Sequence, residues 1–261
     1  IYAVLRVSFV VFGGLPVAQL IAFGGMVTLL FGIVGMLGSQ DLGRIASFSL
    51  VTSTGTLLAT VGFGGVATLA SALLYLVTST LGTAALFLLV ELIERSRPLG
   101  ANVLAVTADA FRLDGEENDA QELVGVLIPA SMAVLGLAFA CSALVIAGLP
   151  PLAGFVAKFS LMASLLQAEA VGTGAWVLLG LVLLSGLASV VAFGRAGVRA
   201  FWAPSEVVPR VRLIEILPVG GLIGGCLALT VFAGPAMRYM EQAADALQPR
   251  DVYIREVLRL P

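Results

Sequence analysis

Apolar residues run along this chain in blocks of about twenty, the length a helix needs to cross the hydrocarbon core of a bilayer. Residues 18–38 carry no charge. Residues 44–62 are apolar with a Ser/Thr-rich middle, and 66–90 form a long uncharged run that stops at Glu91. After a polar interval, 125–149 are uncharged, 150–167 hold only Lys158, 174–193 are uncharged, and 216–237 make the last block. Residues 1–12 are apolar but too short to cross alone, with Arg6 in their middle. The pattern predicts an all-α polytopic membrane protein of about seven full transmembrane helices and one partial one. The membrane domain is expected over 1–237 with a polar loop at 94–122, and an extramembrane tail over 238–261. Within the loop, 102–113 have the pattern of a short surface helix, against the plainer reading of a solvated loop.

The first residues lack both a basic start and a small-residue cleavage site, so they do not read as a signal peptide. They read as the second half of a helix that begins upstream, in a protein longer than 261 residues.

Composition narrows the function. The chain is 59% apolar and 11% charged, with a mean hydropathy of +1.07. Soluble domains carry roughly a quarter charged residues, so a water-soluble enzyme is a poor fit. The absence of histidine removes imidazole metal sites and Ser-His-Asp or Cys-His catalysis, and no cofactor or metal site is expected. A net charge of -2 with no basic stripe argues against nucleic acid as a partner. Cys141 and Cys226, far apart in apolar runs, read as small hydrophobes. The glycines and prolines lie inside the apolar blocks, where membrane helices tolerate them. Counting connections alternately puts Arg44, Arg95, Arg97, Arg112 and the tail arginines on one side and Arg195, Arg199, Arg210 and Arg212 on the other. Neither side has a clear excess, so the positive-inside rule assigns no orientation.

Of the 14 basic residues only Lys158 is a lysine. It lies in the stretch AGLPPLAGFVAKFSLM, residues 147–162. Pro150 and Pro151 remove two backbone donors and clash with the preceding turn, so no continuous helix runs through them, and Gly148 and Gly154 bracket the break. Broken backbone at membrane depth requires surrounding protein or a water-filled cavity. Lys158 follows Pro151 by about two helical turns. A lysine there costs several kcal/mol unless it meets a carboxylate or water, which makes it a functional candidate. Snorkelling to the interface is the plainer alternative, but the end of that apolar block is about 14 Å away. An amine that can gain and lose a proton is what a proton carrier requires.

Hydroxyls form a second group: Ser47, Ser49, Thr52, Ser53 and Thr54, then Thr78, Ser79, Thr80 and Thr83. Such residues bond back to their own helix or join helices, or else line a hydrated path. Ser47 and Thr54 share one face of a helix, whereas Ser49, Thr52 and Ser53 form another. Glu91, Glu94 and Glu215 fall at block ends and read as interfacial. Arg195 and Arg199, four apart before Phe201 and Trp202, read as basic anchors beside an aromatic belt.

Taken together, Gly148-Leu-Pro-Pro-Leu-Ala-Gly-Phe-Val-Ala-Lys158 resembles the GLPPLxGFxxK segment of the antiporter-like membrane subunits shared by respiratory complex I and the multisubunit Mrp-type cation/proton antiporters. Asp41-Leu-Gly-Arg44 with Phe48, Ser49 and Gly55, and the segment from Tyr75 through Leu81 into residues 84–89, fit the same family. The latter segment, GRAGVRAFW at 194–202 and residues 253–258 are most similar to its D-type branch.

The resemblance implies a fold of roughly fourteen helices with two inverted repeats of about five each, both containing a broken helix. This chain would be the C-terminal half, carrying the second repeat. It implies a proton-translocating subunit of a Na+ or K+/proton antiporter in the bacterial cytoplasmic membrane, assembled with the A, B, C, E, F and G components of such a complex. Lys158 would be the carrier at the outer end of the proton path, lined by Ser49, Ser53, Tyr75, Thr78, Ser79 and Thr83. A key lysine and its glutamate partner would lie just upstream of Ile1. Gly43 stands where relatives often have lysine, Ser53 and Thr78 where they often have histidine, and Thr83 where complex I relatives have another lysine. Water held by hydroxyls would then have to bridge the gaps. A pumping subunit of complex I or of a membrane hydrogenase is the alternative, and a non-conducting scaffold subunit is a third.

Overall fold

The computed structural model describes residues 17–95, 130–167, 172–201 and 213–247. The expected partial span at 1–12, the surface helix at 102–113 and the tail beyond 247 lie outside them. Every described element is a helix: α1 (Ala18–Gly38), α2 (Leu42–Phe63), α3 (Val66–Arg95), α4 (Ala130–Ala147), α5 (Ala153–Leu166), α6 (Thr173–Phe201), α7 (Leu213–Val231) and α8 (Ala233–Leu247). Five of these, α1, α2, α3, α6 and α7, are long and apolar enough to cross a membrane, and α4 and α5 are shorter apolar helices. The 21 residues of α1 span about 32 Å, close to the hydrocarbon thickness. The chain is a multi-pass membrane protein.

Helices α1 and α2 form an antiparallel pair joined by only Ser39, Gln40 and Asp41. Their axes come close because small residues face each other along the seam. A side chain on Gly25 would strike the backbone of Ala59, and one on Gly55 the backbone of Leu29. Without a hydrophobic drive between helices in lipid, such backbone-to-backbone packing is what binds them. Helix α3 is the hub: it packs on α2, α4, α5, α7 and α8 and buries residues along most of its length. Helix α6 closes the other side against α1, α2 and α4.

The stretches on either side of the double proline are two limbs of one crossing, so 150–167 is not a separate span. The N-terminal part of α4 sits beside the C-terminal end of α6, where Phe139 meets Phe193 and Phe201 with ring centroids 6.0 and 5.6 Å apart. The C-terminal end of α4 lies near Gly186 in the middle of α6. Helix α5 continues from there to the opposite rim. The last apolar block also divides differently: α7 ends at Val231, and the amphipathic α8 runs across the 237/238 boundary and lies against α3.

This changes the sidedness of the arginines. Helix α6 extends past the expected 193, so Arg195 and Arg199 belong to the helix and reach the end of α1. Arg195 Nη2 donates to Leu37 O at 2.6 Å, and Arg199 Nη1 to Gln40 Oε1 at 3.0 Å. Arg95, at the end of α3, pairs with Glu215 at the start of α7 at 2.6 Å. Each cation sits at a helix C-terminus and Glu215 at an N-terminus, as the helix dipoles favour. Arg44, Arg95, Arg195 and Arg199 therefore share one rim, whereas the alternating count had split them. The opposite rim holds the end of α2 and the start of α6, where a methyl on Gly174 would lie 3.4 Å from Phe63.

By the positive-inside rule the arginine rim is the side expected to face the cytoplasm. In a protein freed of its own cysteines, Gln40→Cys should react with a membrane-impermeant maleimide only in inverted vesicles, and Gly172→Cys only in intact cells. The reverse labelling would overturn this orientation.

Candidate functional site at the helix break

Helix α4 stops because its next amides cannot continue it. Gly148 takes a left-handed conformation (φ 75°), and the amides of Gly148 and Leu149 both turn back to Leu144 O, at 3.0 and 3.1 Å. In an unbroken helix, Ile146 O and Ala147 O would accept from the amides of residues 150 and 151. Both are prolines and have no N–H. Two carbonyls are thus left open at the foot of α4.

Lys158 closes them. It stands in the second turn of α5, and its Nζ donates to Ile146 O and to Ala147 O, both at 3.0 Å. The ammonium supplies the two hydrogen bonds that the prolines cannot, as a cation at a helix C-terminus. Its residue is 5% exposed, so the snorkelling alternative does not describe it. Of the residues expected at the break, Gly148 packs on the lysine stem, Gly154 packs on α4, and Pro150 and Pro151 are exposed in the turn between the two helices. A side chain on Gly148 would press on Lys158 Cδ at 2.5 Å, and one on Gly154 would overlap the Val145 carbonyl, so α5 leaves the break in backbone contact with α4. On the facing helix, a methyl on Gly186 would lie 3.0 Å from Ala147 O and 4.0 Å from Nζ. The sequence reading missed Gly186, because a glycine in an apolar run carries no signal of what it faces. Among the described residues, Lys158 makes no ion pair.

The hydroxyls sort by face as expected. Ser49, Thr52 and Ser53 are buried, whereas Ser47 and Thr54 are exposed. Tyr75, Thr78 and Thr83 are buried and Ser79 is half-buried. Most bond to their own helix: Ser49 Oγ donates to Ala46 O at 2.7 Å, Thr78 Oγ1 to Leu74 O at 2.9 Å, Ser79 Oγ to Leu76 O at 3.2 Å and Thr83 Oγ1 to Ser79 O at 2.7 Å. Of the six expected path residues, the structure joins two across helices, with Tyr75 Oη donating to Ser53 Oγ at 3.4 Å.

A second cross-helix link was not foreseen. Ser71 Oγ, on α3, lies 3.2 Å from Ser160 O and 3.1 Å from Ser160 Oγ on α5. It was legible in principle, since Ser71, Tyr75 and Thr78 follow helical spacing on one face. Ser185 and Ser189, buried on α6, were also overlooked. Cys226 is buried and free, packed with Val145 and Leu152 on the two sides of the break.

Comparison with known proteins gives a consistent picture. Residues 1–187 match the family model described as NADH:quinone oxidoreductase/Mrp antiporter, transmembrane. The D component of a probable K+/H+ antiporter of Rhizobium meliloti (strain 1021) is 47% identical, over 100% of this chain and 51% of that protein. The D component of the Na+/H+ antiporter of Bacillus subtilis (strain 168) is 28% identical, over 99% of this chain and 49% of its own length. A chain in the structure of the Mrp complex from Dietzia sp. DQ12-45-1b shares the fold, with a TM-score of 0.76 at 22% identity over 98% of this chain and 52% of that one. The chain spans about half the length of the curated relatives it matches.

Proposed function

Because this chain belongs to the NADH:quinone oxidoreductase/Mrp antiporter transmembrane family, we propose that it is part of a D-type subunit that moves protons in a bacterial K+ or Na+/proton antiporter. It is a secondary transporter subunit on this reading and not an enzyme. Its partners are the A, B, C, E, F and G components of such an assembly in the cytoplasmic membrane. Lys158 is the observation that carries the proposal. An ionisable amine buried between two half-helices, held by carbonyls and making no described ion pair, is expensive to keep in lipid and marks a transport path.

In this mechanism Lys158 accepts a proton from a neighbouring site and passes it on. Two ammonium groups near one another disfavour each other's charge, so a proton arriving at one tends to expel the proton on the other. The Ser53–Tyr75 pair and the buried hydroxyls of α2, α3 and α6 offer polar surface along the route. With glycine at position 43 and hydroxyls at 53 and 78, Lys158 is the one lysine or histidine in the described membrane core.

The test uses the full-length protein co-expressed with its partner subunits in inverted vesicles. Once respiration has set up a pH gradient, K+ or Na+ should collapse that gradient when the assembly is present and not when this subunit is deleted. The family also includes subunits of redox-driven pumps. Co-purification with peripheral redox subunits, without cation-dependent proton movement, would select that reading instead.

A further inference from the structure

The break holds a second chemical possibility. Ile146 O and Ala147 O are open by sequence, lie at membrane depth and sit at the negative end of α4. Carbonyls of this kind replace the hydration shell of alkali cations, and the open C-terminal ends of half-helices are where membrane transporters coordinate them. In this structure a cation does fill the place, but it is one the protein carries itself.

We propose that Ile146 O and Ala147 O form part of a seat for a dehydrated K+ ion, which the Lys158 ammonium and the ion occupy in turn. The proposal rests on the reading of the protein as a cation/proton antiporter subunit and gives that reading a point of coupling. When Lys158 releases its proton to the path, the neutral amine gives up the carbonyls and K+ takes them. When a proton returns, the ammonium displaces the ion. One positive charge leaves the seat for each that enters, so it stays charge-balanced and cannot hold both.

Three features support exchange at this spot. First, an ammonium and a K+ ion are close in size while Na+ is smaller, so carbonyls set 3.0 Å from the nitrogen suit K+. Second, no side chain from the facing helix crowds the seat: Gly186 stands where a methyl would lie 3.0 Å from Ala147 O, and Gly148 places no side chain against the lysine stem.

Third, no described carboxylate pairs with the ammonium. The helices against α5 carry Tyr75, Glu91, Glu94 and Arg95 on α3, Cys141 on α4, Arg195 and Arg199 on α6, and Glu215 and Cys226 on α7. Helix α8, which touches α5 where Ser160 meets Met237, carries Arg238, Tyr239, Glu241 and Asp245. The charged groups of α3, α6 and α7 belong to the arginine rim, Tyr75 bonds to Ser53, and Cys226 packs on Val145 and Leu152.

The experiment is equilibrium binding of 86Rb+, as a K+ surrogate, to the purified assembled complex across a pH series, with exchange measured in vesicles alongside. In the wild type, competition with one proton should strengthen Rb+ binding by about tenfold per pH unit until Lys158 has titrated. Lys158→Met should bind Rb+ at least about tenfold more tightly at neutral pH, without that pH dependence. Lys158→Arg keeps a permanent charge on the carbonyls and should lose this Rb+ binding at every pH. It also serves if the Met variant does not assemble. Pro150→Ala/Pro151→Ala, which restores two amide donors, should lose it as well. Rb+ binding that keeps its wild-type affinity and pH dependence in the Met or Arg variant overturns the seat. Failure of the underlying reading looks different: the wild-type complex itself would exchange no cation for protons.

Discussion

Lys158→Arg is expected to leave the complex assembled and to reduce cation/proton exchange by roughly 100-fold or more, the usual scale for losing a placed proton carrier. Arginine keeps the charge and several N–H donors, so Ile146 O and Ala147 O remain bonded and the end of α4 remains capped. It does not deprotonate in proteins. Only the ability to give up the proton is lost, and the variant therefore separates transport from support. Lys158→Ala should abolish exchange too, but for mixed reasons. It orphans two buried carbonyls, at about 1–3 kcal/mol each, and should also lower the melting temperature. Collapse of a pH gradient in inverted vesicles, normalised to subunit amount, measures the first effect, and a thermal melt of the detergent-solubilised complex the second. An arginine variant that exchanges at half the wild-type rate would end the case for Lys158 as the carrier and favour a scaffold subunit.

The second large effect concerns the α1–α2 seam. Gly55→Leu should prevent the two helices from closing, because the new side chain would have to occupy the backbone of Leu29. Overpacking at a flexible side chain costs about 1–3 kcal/mol. Backbone cannot step aside in the same way, so the cost here should exceed that range and the subunit should fail to accumulate. Gly25→Leu should behave alike, since it meets Ala59. Gly24 is the control: a side chain there meets no atom within 4 Å, so Gly24→Ala should be neutral or slightly stabilising, as alanine is the better helix former. Membrane abundance of the tagged subunit reads all three, and equal abundance of Gly55→Leu and Gly24→Ala would disprove the close contact.

The spans were readable because each is a long apolar run, and the break because two adjacent prolines forbid a helix. That the limbs around the break make one crossing was not readable, since length and hydropathy score each limb almost as a full span. Packing of Gly154 on Val145 and of Phe139 on Phe193 and Phe201 decides it. The miscount moved Arg195 and Arg199 to the wrong side of the membrane. Lys158 was legible as chemistry, but a carboxylate or water was expected as its partner where it finds carbonyls. Those carbonyls follow from counting four residues back from each proline. The buried faces of the hydroxyls were legible from helical spacing, whereas their partners depend on helix rotation, which no single sequence displays.

The ties on the arginine rim have a mechanical consequence. Arg195 and Arg199 hold α6 to the end of α1, and Arg95 holds α3 to α7 through Glu215. The four helices are thus laced in two pairs, α6 to α1 and α3 to α7, at the same rim. Helix α5 begins at the break and ends at the other rim, so it is placed as a short lever about 21 Å long. Beyond the bonds of Lys158 itself, the polar ties of α5 are Ser160 to Ser71 and to Met237, the first worth about 1 kcal/mol. A rearrangement that took Lys158 off the foot of α4 would therefore be expected in α5, away from the laced rim.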